Sequence, residues 1–173
     1  ITIIDNLLNC DNSTHLHNVD PNINILIGEI SDVLPKLEDQ DFDIVVHLGA
    51  YAYVGESITN ADKYFGDNVR STYELAKFAK RKNVKQFIFS STCAVYGNQE
   101  NLITETSIIS PESPYGYSKH FCEQVIQNEL TADCSVCIFR FFNVAGANPN
   151  FSGGEYHDPE THLIPVVISK TLR

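Results

Sequence analysis

The sequence predicts an α/β fold with a mostly parallel sheet, because strand-like and helix-like segments alternate along the chain. Short runs rich in Ile, Val and Phe are separated by longer segments that have the apolar spacing of helices. The run FDIVVHLGA, residues 42–50, is almost continuously apolar. Such a run is typical of a strand that is covered on both faces, as in the interior of a parallel sheet.

The predicted elements follow from these patterns in order. Strands are predicted over residues 1–5, 23–30, 42–50, 85–92 and 134–143. Helices are predicted over residues 31–39, 60–82 and 114–130, and from residue 163 onward. Ser31 is the expected N-cap of the first helix, and Ser113 with Pro114 behind it gives the third helix the clearest start. The expected buried stripe of the second helix consists of Val69, Tyr73, Leu75, Ala76 and Ala79.

The composition is that of one acidic domain of 173 residues. A hydrophobic content of 43% against 20% charged residues excludes a disordered chain. The net charge of -10 disfavours nucleic acid and anionic membranes as partners, and no apolar run approaches the ~18 residues of a membrane-spanning helix. The 5 cysteines fit free thiols in a reducing, cytoplasmic compartment. Cys134 and Cys137 form a C-x-x-C pair within a predicted strand, so no metal site is expected.

Polar and small residues follow the predicted strands at the points where the strands end. In a parallel sheet these carboxyl ends lie at one edge, and ligands bind there. The segments concerned are Asp5–Asn6, Gly28–Glu29, Leu48–Ala50, Ser90–Thr92 and Phe142–Asn143. Together they predict a ligand that lies along this edge of the sheet.

The sharpest pattern for chemistry is a strand-end hydroxyl pair, Ser91 and Thr92, followed by Tyr115 and Lys119 on one predicted helix. Residues four apart share a helix face, so the phenol and the ammonium can converge. A nearby ammonium favours phenolate and lowers the pKa of a tyrosine from its usual value near 10. Tyr115 therefore becomes a candidate general base near neutral pH, with a strand-end hydroxyl bound to the same substrate oxygen.

Five segments of the chain together resemble the extended short-chain dehydrogenase/reductase family, which contains NAD-dependent epimerases and dehydratases. The segments are HLGAYAYVGES (47–57), FSSTCAVYG (89–97), SPYGYSKHFCEQ (113–124), RFFNVAGANP (140–149) and ETHLIP (160–165). The resemblance covers essentially the whole chain in the family's order and spacing. It implies a Rossmann-type doubly wound parallel sheet that holds NAD, with a UDP-sugar above the nicotinamide. The implied reaction is 4-epimerisation of a UDP-hexose, such as UDP-glucose and UDP-galactose, by transient oxidation at carbon 4.

The resemblance also implies a role for each matching residue. Tyr115 is the expected base and acid at the sugar 4-hydroxyl, Lys119 binds the nicotinamide ribose and lowers the Tyr115 pKa, and Thr92 hydrogen-bonds the 4-oxygen. The other expected NAD contacts are Asp5 and Asn6 at the adenosine ribose, Glu29 and Ile30 beside adenine, and Leu48, Gly49, Ala50, Ala52, Asn68, Ser90 and Phe142. The expected substrate contacts, besides Thr92 and Tyr115, are Asn143, His162 and Leu163. Ala52 stands where family members often have Lys, so that contact is expected to be absent.

Two departures from the family pattern bear on domain organisation. Only four residues precede Asp5, and none of the 9 glycines forms the Gly-rich turn that holds a pyrophosphate. Residues 1–173 therefore correspond to a partial NAD-binding domain that lacks the first strand and that turn. The family's carboxyl-terminal substrate domain is mostly absent as well. The helices over 68–82 and 115–130 resemble the pair through which family members form homodimers, which predicts a homodimer of the full-length protein.

Alternative functions stay open at this point. Sugar-nucleotide dehydratases of the family have Asp-Glu directly after the strand-end Thr, as the acid and base that eliminate water. Cys93 and Ala94 occupy those positions here, which argues against dehydration. Epimerases of other UDP-sugars remain possible, and so does a non-catalytic remnant that keeps the residues without turnover.

Overall fold

A computed structural model describes residues 1–8, 19–130, 132–146, 160 and 162–171. The chain divides into two compact units, one formed by Ile1–Val33 with Asn143–Arg173 and the other by Leu34–Phe142. Within the described residues, none of the helices has both the length and the apolar character needed to cross a membrane.

The first unit contains two paired strands and two helices: β1 (Thr2–Asp5), β2 (Asn24–Ile27), α1 (Ile30–Val33) and α6 (Leu163–Thr171). The strands run parallel, with Thr2 opposite Asn24 and Asp5 opposite Ile27. The prediction that Ser31 caps α1 is wrong, because the helix begins one residue earlier. The carbonyl of Glu29 accepts the N–H groups of Asp32 and Val33, which leaves Ser31 inside the first turn.

The second unit contains a parallel sheet and the helices that pack on it. Its strands are β3 (Ile44–His47), β4 (Gln86–Thr92) and β5 (Ser135–Phe141), in the spatial order β3-β4-β5. Its helices are α2 (Val54–Thr59), α3 (Ala61–Lys63), α4 (Arg70–Arg81) and α5 (Pro114–Glu129). A π-helical segment, Tyr64–Val69, joins α3 to α4, and 3-10 turns occupy Leu34–Leu37 and Cys93–Tyr96.

Every strand pairing within the described residues is parallel, which confirms the predicted α/β class. The register aligns Val46, Ile88 and Cys137 across the three strands of the second unit. The prediction that β3 is covered on both faces is wrong. Ile44 and Val46 are 52% and 53% exposed, because they share the uncovered face of β3, whereas His47 on the other face is buried.

The helix predicted over 60–82 is interrupted by the π-helical segment, and this changes which residues face inward. Leu75, Ala76 and Ala79 are buried as predicted. Tyr73 is 42% exposed, and the residue buried at that turn is Thr72 instead. The extra residue of a π turn shifts the helical phase, so one stripe cannot be extended through the whole stretch. The short helix α2 was also not predicted.

The start of α5 confirms its prediction in detail. The Ser113 hydroxyl accepts the Gly116 N–H at 3.1 Å, and Pro114 is the first helical residue. The helix then packs on the inner face of β4, where Phe87 and Phe89 are almost fully buried. The position of α5 against β4 is what places the residues of the candidate site.

Replacing Gly97 with Ala is expected to destabilise the protein by more than about 2 kcal/mol. Gly97 has φ +62° and ψ −152°, a backbone conformation that side-chain-bearing residues avoid, and an added Cβ would collide with the carbonyl oxygen of Ser110. Gly55→Ala in α2 is the matched control, because no atom lies within 4 Å of the added Cβ. The control should change stability by less than about 1 kcal/mol in urea denaturation. Equal losses for both variants would contradict the assigned strain.

Candidate active site

Thr92, Tyr115 and Lys119 converge where β4 ends and α5 begins. All three are buried, with exposed fractions of 7%, 8% and 3%. The Thr92 oxygen accepts the Ala94 N–H at 3.2 Å, which orients the side chain at the start of the turn Cys93–Tyr96. The Thr92 hydroxyl also interacts with the phenol of Tyr115 and lowers its pKa. The strand-end hydroxyl and this tyrosine therefore belong to the same buried region.

Gly116 permits the close approach of α5 to the turn after β4. A Cβ at this position would lie 2.7 Å from the Ala94 carbonyl oxygen, closer than side-chain carbons come to backbone oxygens. The first turn of α5 therefore lies directly on the segment that follows Thr92. This contact places Tyr115, the residue before Gly116, next to the turn that follows the strand end.

The pKa of Tyr115 is raised from its ordinary value, chiefly because burial disfavours the phenolate. The Thr92 hydroxyl opposes this rise, while the thiols of Cys93 and Cys122 add to it. The direction is opposite to the lowering that the sequence pattern predicted. Lys119 does not contribute to the Tyr115 pKa in this structure, and its ammonium lies 4.4 Å from the centre of the Phe89 ring.

Burial lowers the pKa of Lys119 to about 8, and the neighbouring Cys122 and Glu123 side chains oppose this lowering. His47, on β3, is also buried, and burial together with Lys119 lowers its pKa to about 3. At neutral pH the histidine is therefore uncharged, and Lys119 is the cation of this pair. The site thus contains a buried positive charge four residues after Tyr115 on α5.

Asn68 fixes the loop that follows β3. Its side-chain oxygen accepts the Tyr51 N–H at 2.9 Å, and its amide donates to the Tyr51 carbonyl at 3.1 Å and to the Ser118 hydroxyl at 3.3 Å. The loop contains the residues expected to line the dinucleotide, which are Leu48, Gly49, Ala50 and Ala52. Asn68 thus connects this loop to α5, one residue before Lys119.

A buried chain of hydrogen bonds supports Asn68 and was not predicted. The Thr72 hydroxyl donates to the Asn68 carbonyl at 2.7 Å, and His47 Nε2 lies 2.9 Å from the same hydroxyl. Because the hydroxyl hydrogen points to the carbonyl, Nε2 is the protonated nitrogen that donates to Thr72. The sequence feature that indicates this hydrogen-bond chain is the polar His47 at the end of an apolar strand.

Tyr64 is a second supporting residue that sequence reasoning missed. Its ring is fully buried and meets the Tyr115 ring edge-on, with centroids 6.1 Å apart. Its hydroxyl contacts Glu56 Oε2 and the Tyr53 carbonyl, each at 2.8 Å. Burial and Glu56 raise the Tyr64 pKa, so this phenol stays neutral. Tyr64 therefore supports the Tyr115 ring without competing as a base.

In the first unit, the predicted adenosine-side residues lie together at the carboxyl ends of β1 and β2. The Asn6 amide donates to Glu29 Oε1 at 3.0 Å, and Asp5 Oδ1 accepts the Leu7 N–H at 2.7 Å. Both carboxylates are exposed, and Ile30 opens α1 directly behind Glu29. The arrangement presents two carboxylates that can accept hydrogen bonds from vicinal hydroxyl groups.

The other predicted site residues lie at separate positions in the two units. Phe142 follows β5 and is 62% exposed, while Ser90 lies on β4 with its side chain on the face opposite to Ser91. In the first unit, Asn143 is exposed and Leu163 opens α6. His162 Nδ1 lies 2.9 Å from Glu160 Oε1.

Comparisons with known proteins give a consistent result. The model of the NAD dependent epimerase/dehydratase family matches residues 1–173. UDP-glucose 4-epimerase of Lactobacillus helveticus is 38% identical over 163 residues, which are 91% of this chain and 49% of the relative. The same enzyme of Streptococcus mutans is 34% identical over 174 residues, at 97% and 51% coverage. The chain spans about half the length of the curated relatives it matches.

Two solved structures show the same likeness in three dimensions. UDP-glucose 4-epimerase from Brucella ovis in complex with NAD has a TM-score of 0.84 at 33% identity, covering 95% of this chain and 51% of its own. UDP-N-acetylglucosamine 4-epimerase from Methanobrevibacter ruminantium, in complex with UDP-N-acetylmuramic acid, has a TM-score of 0.81 at 31% identity. It covers 99% of this chain and 54% of its own. These likenesses confirm the Rossmann-type fold prediction.

Replacing Lys119 with Met is expected to stabilise the protein at neutral pH by about 1–3 kcal/mol. The pKa of Lys119 falls from 10.5 when unfolded to about 8 when folded, so its buried charge costs most below pH 8. Between these two values the folded state releases its proton first, and the cost declines as pH rises. The gain from Met should therefore be largest below pH 8 and vanish near pH 10.5.

Urea denaturation from pH 6 to pH 10.5 measures this dependence. Lys36→Met is the control, because Lys36 is exposed and should show no comparable pH-dependent gain. A gain for the Lys119 variant that stays constant over the whole pH range would assign the effect to packing and refute the buried-charge explanation.

Proposed function

Because the chain belongs to the NAD dependent epimerase/dehydratase family, we propose that its protein interconverts UDP-glucose and UDP-galactose by epimerisation at carbon 4. The observation that carries this proposal is the buried convergence of Thr92, Tyr115 and Lys119 at the end of β4. Relatives at 34–38% identity are named UDP-glucose 4-epimerases. The proposed location is the cytoplasm, which agrees with the free thiols of Cys93, Cys122, Cys134 and Cys137.

The residues present fit NAD as the cofactor. The exposed carboxylates of Asp5 and Glu29 suit ribose hydroxyls, with Asn6 and Ile30 beside them, and the buried ammonium of Lys119 suits the second ribose. Leu48, Gly49, Ala50, Asn68, Ser90 and Phe142 are proposed to line the dinucleotide. When bound, NAD supplies the transient oxidation of the sugar at carbon 4.

Tyr115 is the proposed proton acceptor and donor at the sugar 4-hydroxyl. The burial that raises its pKa also excludes water, which strengthens the effect of any charge placed beside the phenol. The Thr92 hydroxyl is proposed to donate its hydrogen bond to the sugar 4-oxygen. Lys119 is proposed to bind the nicotinamide ribose, and its ammonium retains its proton up to about pH 8.

Substrate positioning on the uridine side is proposed for Asn143, His162 and Leu163. This role rests on the match of these residues to the family pattern, and the contact of His162 with Glu160 orients the imidazole. Ala52 offers no charge to the ligand. The N-acetylated UDP-hexoses are the alternative substrates, because a structural neighbour acts on UDP-N-acetylglucosamine.

The turn after Thr92 does not contain the acid and base that dehydration of the sugar requires. Elimination of water needs a carboxylic acid to protonate the leaving hydroxyl and a base to remove the carbon 5 proton. Cys93 and Ala94 occupy the turn, and burial raises the pKa of the Cys93 thiol, so it is a poor base at neutral pH. Epimerisation requires neither group.

A homodimer is the proposed assembly. The outer faces of the π-helical segment, α4 and α5 present four exposed aromatic residues, namely Phe65, Tyr73, Tyr117 and Phe121. The rings of Phe65 and Phe121 already contact each other, with centroids 6.0 Å apart. An aromatic surface that spans adjacent helices is the kind of patch that a second copy of the chain can bury.

Product analysis with UDP-glucose tests the proposed reaction in a protein of the relatives' full length that contains this chain. The product should be UDP-galactose, with unchanged mass. Tyr115→Phe should lower kcat about a hundredfold to ten-thousandfold, since it removes the positioned acid and base. Tyr117→Phe is the control on the same helix, because Tyr117 is 45% exposed, and it should retain wild-type turnover.

The possible outcomes separate the alternatives. A product lighter by one water would establish a dehydratase, and turnover only with UDP-N-acetylglucosamine would change the substrate but keep the reaction. Absence of turnover with every UDP-sugar would favour the non-catalytic alternative. An unchanged kcat in Tyr115→Phe would refute the assignment of the base.

Light scattering of the same full-length protein tests the dimer. The wild-type protein should show twice the mass of one chain. Phe121→Asp should show the mass of a single chain, because dimerisation would have to desolvate a charge within the patch. Leu102→Asp, at a residue that is 90% exposed in a loop, is the control and should remain dimeric. A monomeric wild-type protein, or a dimeric Phe121→Asp variant, would rule out this interface.

A further inference from the structure

A carboxylate lies fully buried one helical turn beyond Lys119. Glu123 is 1% exposed, and it follows Lys119 and Tyr115 at intervals of four residues on the same face of α5. The Ser91 hydroxyl donates to its Oε1 at 2.5 Å. Ser91 directly precedes Thr92 on β4, so this hydrogen bond joins the helix of the candidate base to the strand of its hydroxyl partner.

Arg140 on β5 forms an ion pair with the same carboxylate. Its Nε donates to Glu123 Oε1 at 3.0 Å and its Nη2 to Oε2 at 2.8 Å, which is a two-point pairing. Its Nη1 donates to the Tyr96 hydroxyl at 2.9 Å, and Tyr96 ends the turn that follows Thr92. Glu123 therefore connects α5, β4 and β5 at one point.

Stability alone does not account for this arrangement. Removing a carboxylate and a guanidinium from water costs several kcal/mol each, and well-packed apolar side chains of similar volume often serve stability as well or better. Paired charges with fixed hydrogen-bond directions instead specify one orientation of the helix on the strand. That orientation sets the position of Tyr115 relative to Thr92. Tyr115 lies two helical turns before Glu123 on α5, and Thr92 directly follows Ser91 on β4.

We propose that Glu123 is a positioning residue of the active site, which holds α5 on β4 through Ser91 and Arg140 and thereby places Tyr115 and Lys119 relative to Thr92. Its negative charge has a second effect, because it raises the Lys119 pKa against the lowering caused by burial. The kinetic part of this inference rests on the proposed epimerase function, whereas the effect on Lys119 does not.

Several charged and titratable groups surround Lys119 and Glu123, and the experiment must distinguish their effects on the Lys119 pKa. Lys119 is faced by His47 from β3 and by Cys122 and Glu123 on its own helix. Glu123 is faced by Arg140 from β5 and by His120, whose Nδ1 lies 3.9 Å from Oε2. Only Glu123 is a carboxylate among these groups, so its neutralisation should move the titration of Lys119 in one direction.

Glu123→Gln in the full-length protein tests the proposal, because it keeps the shape and removes the charge. Nuclear magnetic resonance of 13Cε-labelled lysine follows the Lys119 titration, which Lys119→Met assigns, and the midpoint should fall by about one pH unit. The kcat for UDP-glucose should fall about tenfold or more, with KM changed less than about twofold. Glu129→Gln, a surface carboxylate of α5 paired with Lys80, is the control and should leave both quantities unchanged.

Ser91→Ala provides a second variant that preserves every charge, for use if Glu123→Gln does not fold. It should lower kcat about threefold to tenfold through lost orientation, and leave the Lys119 midpoint in place. An unaltered Lys119 midpoint in Glu123→Gln, or wild-type kcat in Ser91→Ala, would overturn the proposal. If the wild-type protein has no turnover, the proposed function fails, while the lysine titration still decides whether Glu123 acts on Lys119.

Discussion

The contact between the first turn of α5 and the turn after β4 is the constraint on which the candidate site depends. Gly116 lies against the Ala94 carbonyl so closely that no side chain fits between them. Ser113 and Pro114 start the helix at the residue that makes this contact possible. Because the contact is made by backbone atoms, neither partner can relax by changing a rotamer. This backbone contact fixes the position of the Tyr115 phenol relative to the Thr92 hydroxyl.

Around this contact the chain buries polar groups that would be costly elsewhere. Lys119, Glu123 and His47 are each at most 3% exposed, and each is held by neighbours that compensate for lost water. The histidine stays neutral and donates to Thr72. The lysine keeps its charge over the Phe89 ring, although burial lowers its pKa. A site built in this way is sensitive to charge over several ångströms, since little solvent screens the groups from one another.

Sequence reasoning succeeded where a local rule governs the structure. Alternation predicted the parallel strands, and cap chemistry predicted the start of α5. The spacing of Tyr115 and Lys119 placed both residues at one site, but it could not predict the pKa direction of Tyr115, which depends on burial by other elements. The pairing of Glu123 with Arg140 depends on strand order and helix placement together. Sequence reasoning did not predict a role for Glu123, although its four-residue interval after Lys119 is a signal for one.

The π-helical segment Tyr64–Val69 has a consequence for insertions and deletions. Such a turn contains about one residue more than an α-helical turn, so the direction of every side chain behind it is rotated by roughly 100°. Removal of one residue from the segment would restore a continuous α-helix, and Asn68 would then point away from the Tyr51 backbone that it now binds on both sides. Length variation here is therefore coupled to the loop after β3, whereas the same change in the exposed stretch near Leu102 would meet no such coupling.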